Sequence, residues 1–150
     1  MSKVYQLVLI ISLSFFSIAN AKSSDFIGVS QYLNQYNSEI KNQDYYHLSA
    51  VSQRCAGVFG AYAKYLPTDM KDMKTRFINL SIMTIEKSIN FLNMKKDNKP
   101  DLNAKQVDKA VRYFVDVYYK NLEIDQQNTG TIMKGNSSID MNLCMGLFKK

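Results

Sequence analysis

The only histidine of the chain is the first candidate for chemistry. His47 follows Tyr45 and Tyr46, and an imidazole can act as a general base or as a metal ligand. No serine or cysteine nucleophile stands in a recognisable motif around it, and the Cys-x-x-Cys-His pattern of haem attachment is absent. We therefore interpret His47 as a surface or interfacial side chain and predict no catalytic residue.

Carboxylates are the second candidate, because two of them held across a cleft can hydrolyse a glycosidic bond. Two close pairs are Asp69 with Asp72 and Asp97 with Asp101. Both pairs fall at predicted helix starts or turns, where a carboxylate complements the helix dipole without any catalytic role. Paired-acid hydrolysis is therefore not the function that we expect.

Methionines at helical spacing could bind Cu(I) outside the cytoplasm through their thioether sulfurs. Met70 with Met73 and Met141 with Met145 have this spacing. Core packing explains them equally well, because methionine fills irregular gaps between helices. The sequence predicts no metal site and no cofactor.

The two cysteines, Cys55 and Cys144, are predicted to form one disulfide. An even number of cysteines in a chain that leaves the cytoplasm favours pairing, whereas cytosolic retention would favour two buried free thiols. In the chain-entropy model, closing so long a loop stabilises a fold by roughly 4–5 kcal/mol.

An export signal is predicted over residues 1–21. Lys3 gives a positive start, residues 4–18 form an almost unbroken apolar run, and Ala19-Asn20-Ala21 offers the small-x-small site of a signal peptidase. The run is shorter than the roughly 20 residues of a spanning helix, although an uncleaved leader would act as an anchor. We predict an exported protein, periplasmic or secreted, with residues 22–150 as a single domain and no membrane span after cleavage.

The charge of the chain bears on the class of partner. Its formal net charge is +6, which is first a statement about solubility. An exported protein seldom meets nucleic acid, so we predict no nucleic-acid partner and keep an anionic envelope surface as one alternative.

Helical periodicity fills the rest of the chain, and Asp44 is placed to cap the second of the predicted helices. Interior glycines at Gly57 and Gly60 each cost about 1 kcal/mol relative to alanine, so we expect another backbone close by, that of the helix carrying Cys144. The apolar positions are Phe26, Val29, Leu33, Tyr36 and Ile40 in the first helix, and Leu48, Val51, Cys55, Val58, Phe59, Tyr62 and Leu66 in the second.

The third predicted helix follows Pro67, has Thr68 or Asp69 as its cap and runs from about Met70 to Met94. Apolar residues cover two stripes of its circumference, which indicates the most buried helix of the fold. The stripes are Met73, Phe77 and Leu80, and Ile78, Ile82, Ile85, Ile89 and Leu92.

The fourth predicted helix has Asn103 and Gln106 as a capping box and closes at Gly130 in the left-handed conformation. A short last helix starts at Ser137 or Ser138. The inner positions are Val107, Val111, Phe114, Tyr118 and Leu122, and then Met141, Cys144, Met145 and Phe148.

These patterns predict an all-α fold, a small bundle of four to five helices cross-linked by Cys55 and Cys144. The missing catalytic constellation favours a non-enzymatic exported protein that binds another macromolecule, most simply a protein, through exposed tyrosines. A small-ligand carrier is the alternative, and a small hydrolase is the third hypothesis.

Overall fold

The computed structural model describes residues 28–29, 44–94 and 99–148. This part of the chain is all-α, with α1 at Tyr45–Tyr65, α2 at Lys71–Asn93, α3 at Pro100–Thr129 and α4 at Asn136–Phe148. None of these helices is both long and apolar enough to cross a membrane. The predicted leader lies outside the described residues, and so does the predicted first helix apart from Gly28 and Val29.

Helix α1 is the centre of the bundle and contacts each of the other three helices. It begins as predicted, with Oδ1 of Asp44 accepting hydrogen bonds of 3.1 Å from the backbone N–H groups of Tyr46 and His47. It ends at Tyr65, two residues before Pro67. All seven apolar positions predicted for this helix are buried.

The two glycines of α1 do mark a close approach, but the predicted neighbour is wrong. A Cβ atom on Gly57 would overlap the Cβ of Phe114 in α3 and would lie 3.0 Å from the carbonyl carbon of the same residue. A Cβ on Gly60 would lie 2.7 Å from Cγ2 of Val115. The glycines therefore let α3, and not the helix of Cys144, pack closely against α1.

Helix α2 runs antiparallel to α1, and the prediction that it is the most buried helix is wrong. Its buried residues are Ser81, Thr84, Ser88 and Leu92, whereas Ile78 is 44% and Ile82 is 50% exposed. The hydroxyls of Ser81 and Ser88 bond to α1, whereas that of Thr84 donates to the backbone oxygen of Leu80 in its own helix. Met70 is the cap residue, and it makes no side-chain capping bond, so neither Thr68 nor Asp69 acts as predicted.

Helix α3 runs parallel to α1 and buries the predicted side, with Val107, Val111, Tyr118 and Leu122 in the core and Phe114 packed partly against it. It starts at Pro100, earlier than expected, because proline needs no hydrogen-bond acceptor in a first turn. Asn103 is therefore inside the helix and donates to Oδ1 of Asn93 at 2.9 Å, so the predicted capping box is wrong. Gly130 closes the helix as predicted, with φ 74°.

Helix α4 begins at Asn136, one or two residues before the predicted start, and returns antiparallel to α3. A disulfide joins Cys144 of this helix to Cys55 of α1, with the two Cα atoms 5.4 Å apart. Met141 and Phe148 are buried in the same cluster, and Met145 packs partly against it. The predicted helical bundle with one disulfide is confirmed.

Candidate binding groove

The residues that the sequence offered for chemistry lie apart from one another. His47 is in the first turn of α1, Asp69 and Asp72 are exposed near the start of α2, and Asp101 is exposed at the start of α3. Asp97 lies outside the described residues. Within residues 44–94 and 99–148, no group of three or more His, Cys, Asp or Glu side chains is placed to hold a metal ion.

The two methionine pairs lie in different environments. Met70 and Met73 are about half exposed at the start of α2, while Met141 is buried beside the disulfide and Met145 packs partly against it. Met141 and Met145 therefore pack in or against the core, in agreement with the packing interpretation of these residues.

A buried carboxylate that sequence reasoning missed lies between α3 and α4. Oδ2 of Asp140 accepts hydrogen bonds from the hydroxyl of Tyr118 at 2.6 Å and from the backbone N–H of Val29 at 2.9 Å. Burial raises the pKa of the Tyr118 phenol, and the neighbouring Asp140 raises it further. Asp140 thus fastens the buried Val29 to the bundle.

A second buried carboxylate, Asp125, organises the turn between α3 and α4. Its Oδ2 accepts a hydrogen bond of 3.1 Å from the backbone N–H of Ser137 in the first turn of α4. Gly135 has φ 98°, and a Cβ there would overlap the Asp125 carboxylate. Tyr62 donates to the backbone oxygen of Ile132 at 2.8 Å, and its pKa is raised by burial and then by Asp125. Both buried carboxylates therefore have structural roles.

An apolar groove opens between the parallel helices α1 and α3, on the N-terminal side of their contact at Gly57 and Phe114. We call this surface the binding groove. It encloses about 450 Å³, within the range of ligand pockets in proteins. The small side chains of Ala50 and Ala110 leave the space open. Its lining residues are Ala50, Gln53 and Arg54 of α1, and Gln106, Lys109, Ala110, Tyr113 and Phe114 of α3.

The polar groups of the binding groove are amides, cations and the phenol of Tyr113. The guanidinium carbon of Arg54 lies 4.5 Å from the centroid of the Phe114 ring, which is within cation–π range. Lys109 is exposed at the α3 edge, and Gln53 and Gln106 complete the polar groups. None of the described lining residues is acidic.

Three large exposed side chains border the binding groove. Leu102, Gln106, Lys109 and Tyr113 follow one another at steps of four, three and four, which places them along one side of α3. Tyr113 is 64% exposed and Leu102 is 57% exposed. Tyr46 precedes Ala50 by one turn on α1 and is 58% exposed. Apolar surface therefore continues beyond the groove itself.

A second recess of about 400 Å³ follows α2 alone. Acidic and basic side chains both line it, together with apolar surface from Leu80 and Met83. Its lining residues are Asp72, Thr75, Arg76, Asn79, Leu80 and Met83.

The sequence did not point to the binding groove, because its floor depends on how α1 and α3 are aligned. Ala50 and Ala110 are ordinary helix-forming residues, and nothing local marks them as facing each other. Tyr113 carried the available signal, as a tyrosine near Lys109 and Arg112 on a predicted helix.

Comparison of the chain with family models, with curated proteins and with solved structures finds no match.

Proposed function

We propose that the protein is exported by its N-terminal leader and acts as a non-enzymatic protein that binds another protein through the binding groove. The leader pattern of residues 1–21 supports export. The disulfide between Cys55 and Cys144 supports it as well, because such bonds persist in oxidising compartments.

The observation that carries the proposal is the apolar binding groove together with its exposed border. A ligand that fits about 450 Å³ would cover Ala50, Ala110 and the Phe114 ring. It would leave Leu102 and Tyr46 more than half exposed, where large apolar side chains gain nothing. A protein partner covers the groove and the border together, and tyrosine and arginine are residues that protein interfaces favour.

The partners of the reactive groups support binding over catalysis. Asp140 and Asp125 accept hydrogen bonds from backbone N–H groups that hold segments of the fold in place. Cys55 and Cys144 are joined to each other and are fully buried. The polar groups that remain at the binding groove are suited to recognition.

A small-ligand carrier is the second candidate, and the volume of the binding groove favours it. The two candidates differ in what stays attached to the purified protein. A carrier holds a small molecule, whereas the proposed binder holds a second protein chain.

Native mass spectrometry of the protein isolated from its own source tests the proposal. We expect a chain that starts at Lys22, carries one disulfide and is accompanied by a protein partner. Ala110→Leu fills the binding groove and should remove the partner. Gly146→Ala, at an exposed position with no atom within 4 Å of the new Cβ, is the matched control and should retain it.

Three results would contradict the proposal. One is a partner that Ala110→Leu retains, and another is a chain that carries only a small molecule in the groove. The third is turnover of a substrate that His47→Ala abolishes.

A further inference from the structure

We infer that the part of the partner that enters the binding groove is an amphipathic helix with acidic residues along one edge. This inference rests on the proposed function and adds the chemistry of the partner. Its basis is the shape of the groove, the state of its backbone groups and its charge.

The binding groove has the length of a short helix. Together with its border residues, its α3 side extends from Leu102 to Tyr113, and its α1 side extends from Tyr46 to Arg54. At a rise of 1.5 Å per residue, the α3 side spans about 16 Å, which is the length of three helical turns. A helix laid along this length would contact both walls and the exposed border residues.

The walls of the binding groove favour a helix over an extended peptide. Both walls are α-helices, whose backbone N–H and C=O groups are already paired within each helix. An extended peptide would find no strand edge to bond with, so those of its backbone groups that face Ala50, Ala110 and Phe114 would be buried unpaired. Each such group costs roughly 1–3 kcal/mol. A helix enters with its backbone groups already satisfied, as in other helix-in-groove complexes.

The gap between Ala50 and Ala110 determines where the partner is apolar. Apolar side chains one and two turns apart on a helix, at positions i, i+3 or i+4, and i+7, form one stripe. Such a stripe would fill the gap and lie against Phe114, with neighbouring side chains against Tyr113 and Leu102.

The charge of the binding groove makes the partner helix acidic at its edge. Lys109 is an exposed lysine at the rim, and none of the described lining residues is acidic. The whole chain has a formal net charge of +6, which attracts an acidic partner at long range. Glutamate or aspartate beside the apolar stripe would meet Lys109 at the rim, whereas lysine there would be repelled.

A display library of helical peptides tests this inference. The peptides have about 14 residues, roughly four turns, with every position on one face varied among apolar, acidic, basic and amide residues. The library is selected on the full chain, with counter-selection on the same chain carrying Ala110→Leu. We expect enriched peptides to combine an apolar stripe with Glu or Asp beside it.

The variants measure how the enriched peptides bind. Lys109→Glu should raise the Kd by about tenfold or more, as expected for a reversed charge at an interface. Lys134→Glu makes the same charge change in the loop after α3, at the other end of the bundle, and should leave the Kd unchanged. A wild-type circular dichroism spectrum of Lys109→Glu establishes that the fold is intact.

Enrichment of basic, uncharged or proline-containing extended peptides would overturn the inference, and so would a selection in which nothing depends on Ala110.

Two other occupants of the groove would also overturn it. If no peptide is enriched and laurate shifts the NMR signals of Ala50 and Ala110, the groove binds a small apolar anion. If Ala110→Leu dissolves a homodimer, the groove belongs to a second copy of the chain. If Ala110→Leu loses the natural partner but Lys109→Glu keeps it, the inference of an acidic helix is wrong and the proposed function stands. If Ala110→Leu keeps the partner, both the inference and the proposed function are wrong.

Discussion

Helices α2 and α3 both pack against α1, yet they bury opposite kinds of side chain. Helix α3 buries apolar residues such as Val107, Val111 and Leu122. Helix α2 turns Ser81, Thr84 and Ser88 inward and leaves two isoleucines about half exposed. The difference shows that the surface of the partner helix, as well as the helix's own apolar pattern, decides which face is buried.

The face of α1 that meets α2 is rich in small residues, so the two backbones come close enough for hydroxyl groups to bridge them. Ser81 donates to the backbone oxygen of Ala56 at 2.9 Å. The hydroxyls of Ser88 and Ser49 lie 2.7 Å apart and share a hydrogen bond. A larger side chain at either serine of α2 would push the helices apart.

The isoleucines of α2 occupy the flank of that helix and not its inner face. Ile85 and Ile89 pack against the cluster formed by Ala56, Leu92, Val107 and Val111. Ile78 and Ile82 continue the same stripe toward the start of α2, beyond the well-covered part. The stripe is present, but it does not make α2 the most buried helix.

Loss of the disulfide should have the largest effect on stability, and it should affect α3 more than α2. The double change Cys55→Ser and Cys144→Ser opens a link over a sequence separation of 89, which should lower the free energy of unfolding by about 4 kcal/mol. Helix α4 holds α3 through the bond between Tyr118 and Asp140, so amide hydrogen exchange should rise more in the C-terminal half of α3 than in α2. An unchanged urea midpoint in oxidising conditions would contradict this prediction.

Sequence reasoning succeeded for several features that one helix determines. The cap at Asp44, the seven apolar positions predicted for α1, the inner side of α3 and the left-handed Gly130 each follow from local pattern or local backbone conformation. The predicted caps of α2 and α3 were local patterns too, and they were wrong. The other failures concern pairs of helices. The neighbour of Gly57 and the buried face of α2 depend on how close two helices approach, which no single pattern encodes.

The next largest effect is expected where α3 touches α1 most closely. Gly57→Ala would force a methyl group against the backbone of Phe114, and such overpacking typically costs about 1–3 kcal/mol. Gly146→Ala makes the same change in a helix where no neighbouring atom lies within 4 Å, so it should stabilise the fold by up to about 1 kcal/mol. Chemical denaturation compares the two, and equal effects would refute the close approach.

Exchanging the chemistry of the two inner faces sharpens the comparison further. Ser81→Leu should destabilise the fold by about 1–3 kcal/mol, because it widens the contact between α1 and α2. Val111→Ser should have a similar cost in α3, because it removes buried apolar volume and buries a hydroxyl. Ile82→Ser, on the exposed flank of α2, should change stability by less than about 1 kcal/mol. Thermal melts of the three variants test this order, and a stabilising Ser81→Leu would contradict it.

The last prediction concerns the buried tyrosines, whose contribution to stability changes only at alkaline pH. Burial raises the pKa values of Tyr62 and Tyr118 in the folded state, while an unfolded tyrosine titrates near pH 10. Their contribution is complete below about pH 10 and is lost as the pH rises further, by about 1.4 kcal/mol per pH unit for each tyrosine. Melting temperatures measured from about pH 8 to pH 12 should therefore fall less steeply in Tyr118→Phe than in the wild type.

Tyr113→Phe provides the control for the alkaline titration, because Tyr113 lies in the same helix and is largely exposed. It should leave the slope of melting temperature against pH unchanged. A slope that Tyr118→Phe does not alter would mean that this tyrosine ionises as readily in the folded chain as in the unfolded one.

The candidate site was harder to predict than the fold, because it depends on how two helices approach each other. The sequence indicated exposed tyrosines as contact residues, and Tyr113 borders the binding groove. Ala50 and Ala110 gave no signal, because a groove between two helices exists only once both are aligned and Gly57 has fixed their crossing. The buried carboxylates Asp125 and Asp140 were missed as well, since their hydrogen-bond partners lie 12 or more positions away in the sequence.

The most direct test of the proposed function compares the binding groove with the exposed flank of α2. The Kd of the natural partner is measured for the wild type, for Ala110→Leu and for the double change Ile78→Ser and Ile82→Ser. We predict that Ala110→Leu raises the Kd by about tenfold or more, while the α2 double variant binds as the wild type does. Wild-type binding by Ala110→Leu, together with loss of binding in the α2 double variant, would contradict the account and move the interaction surface to α2.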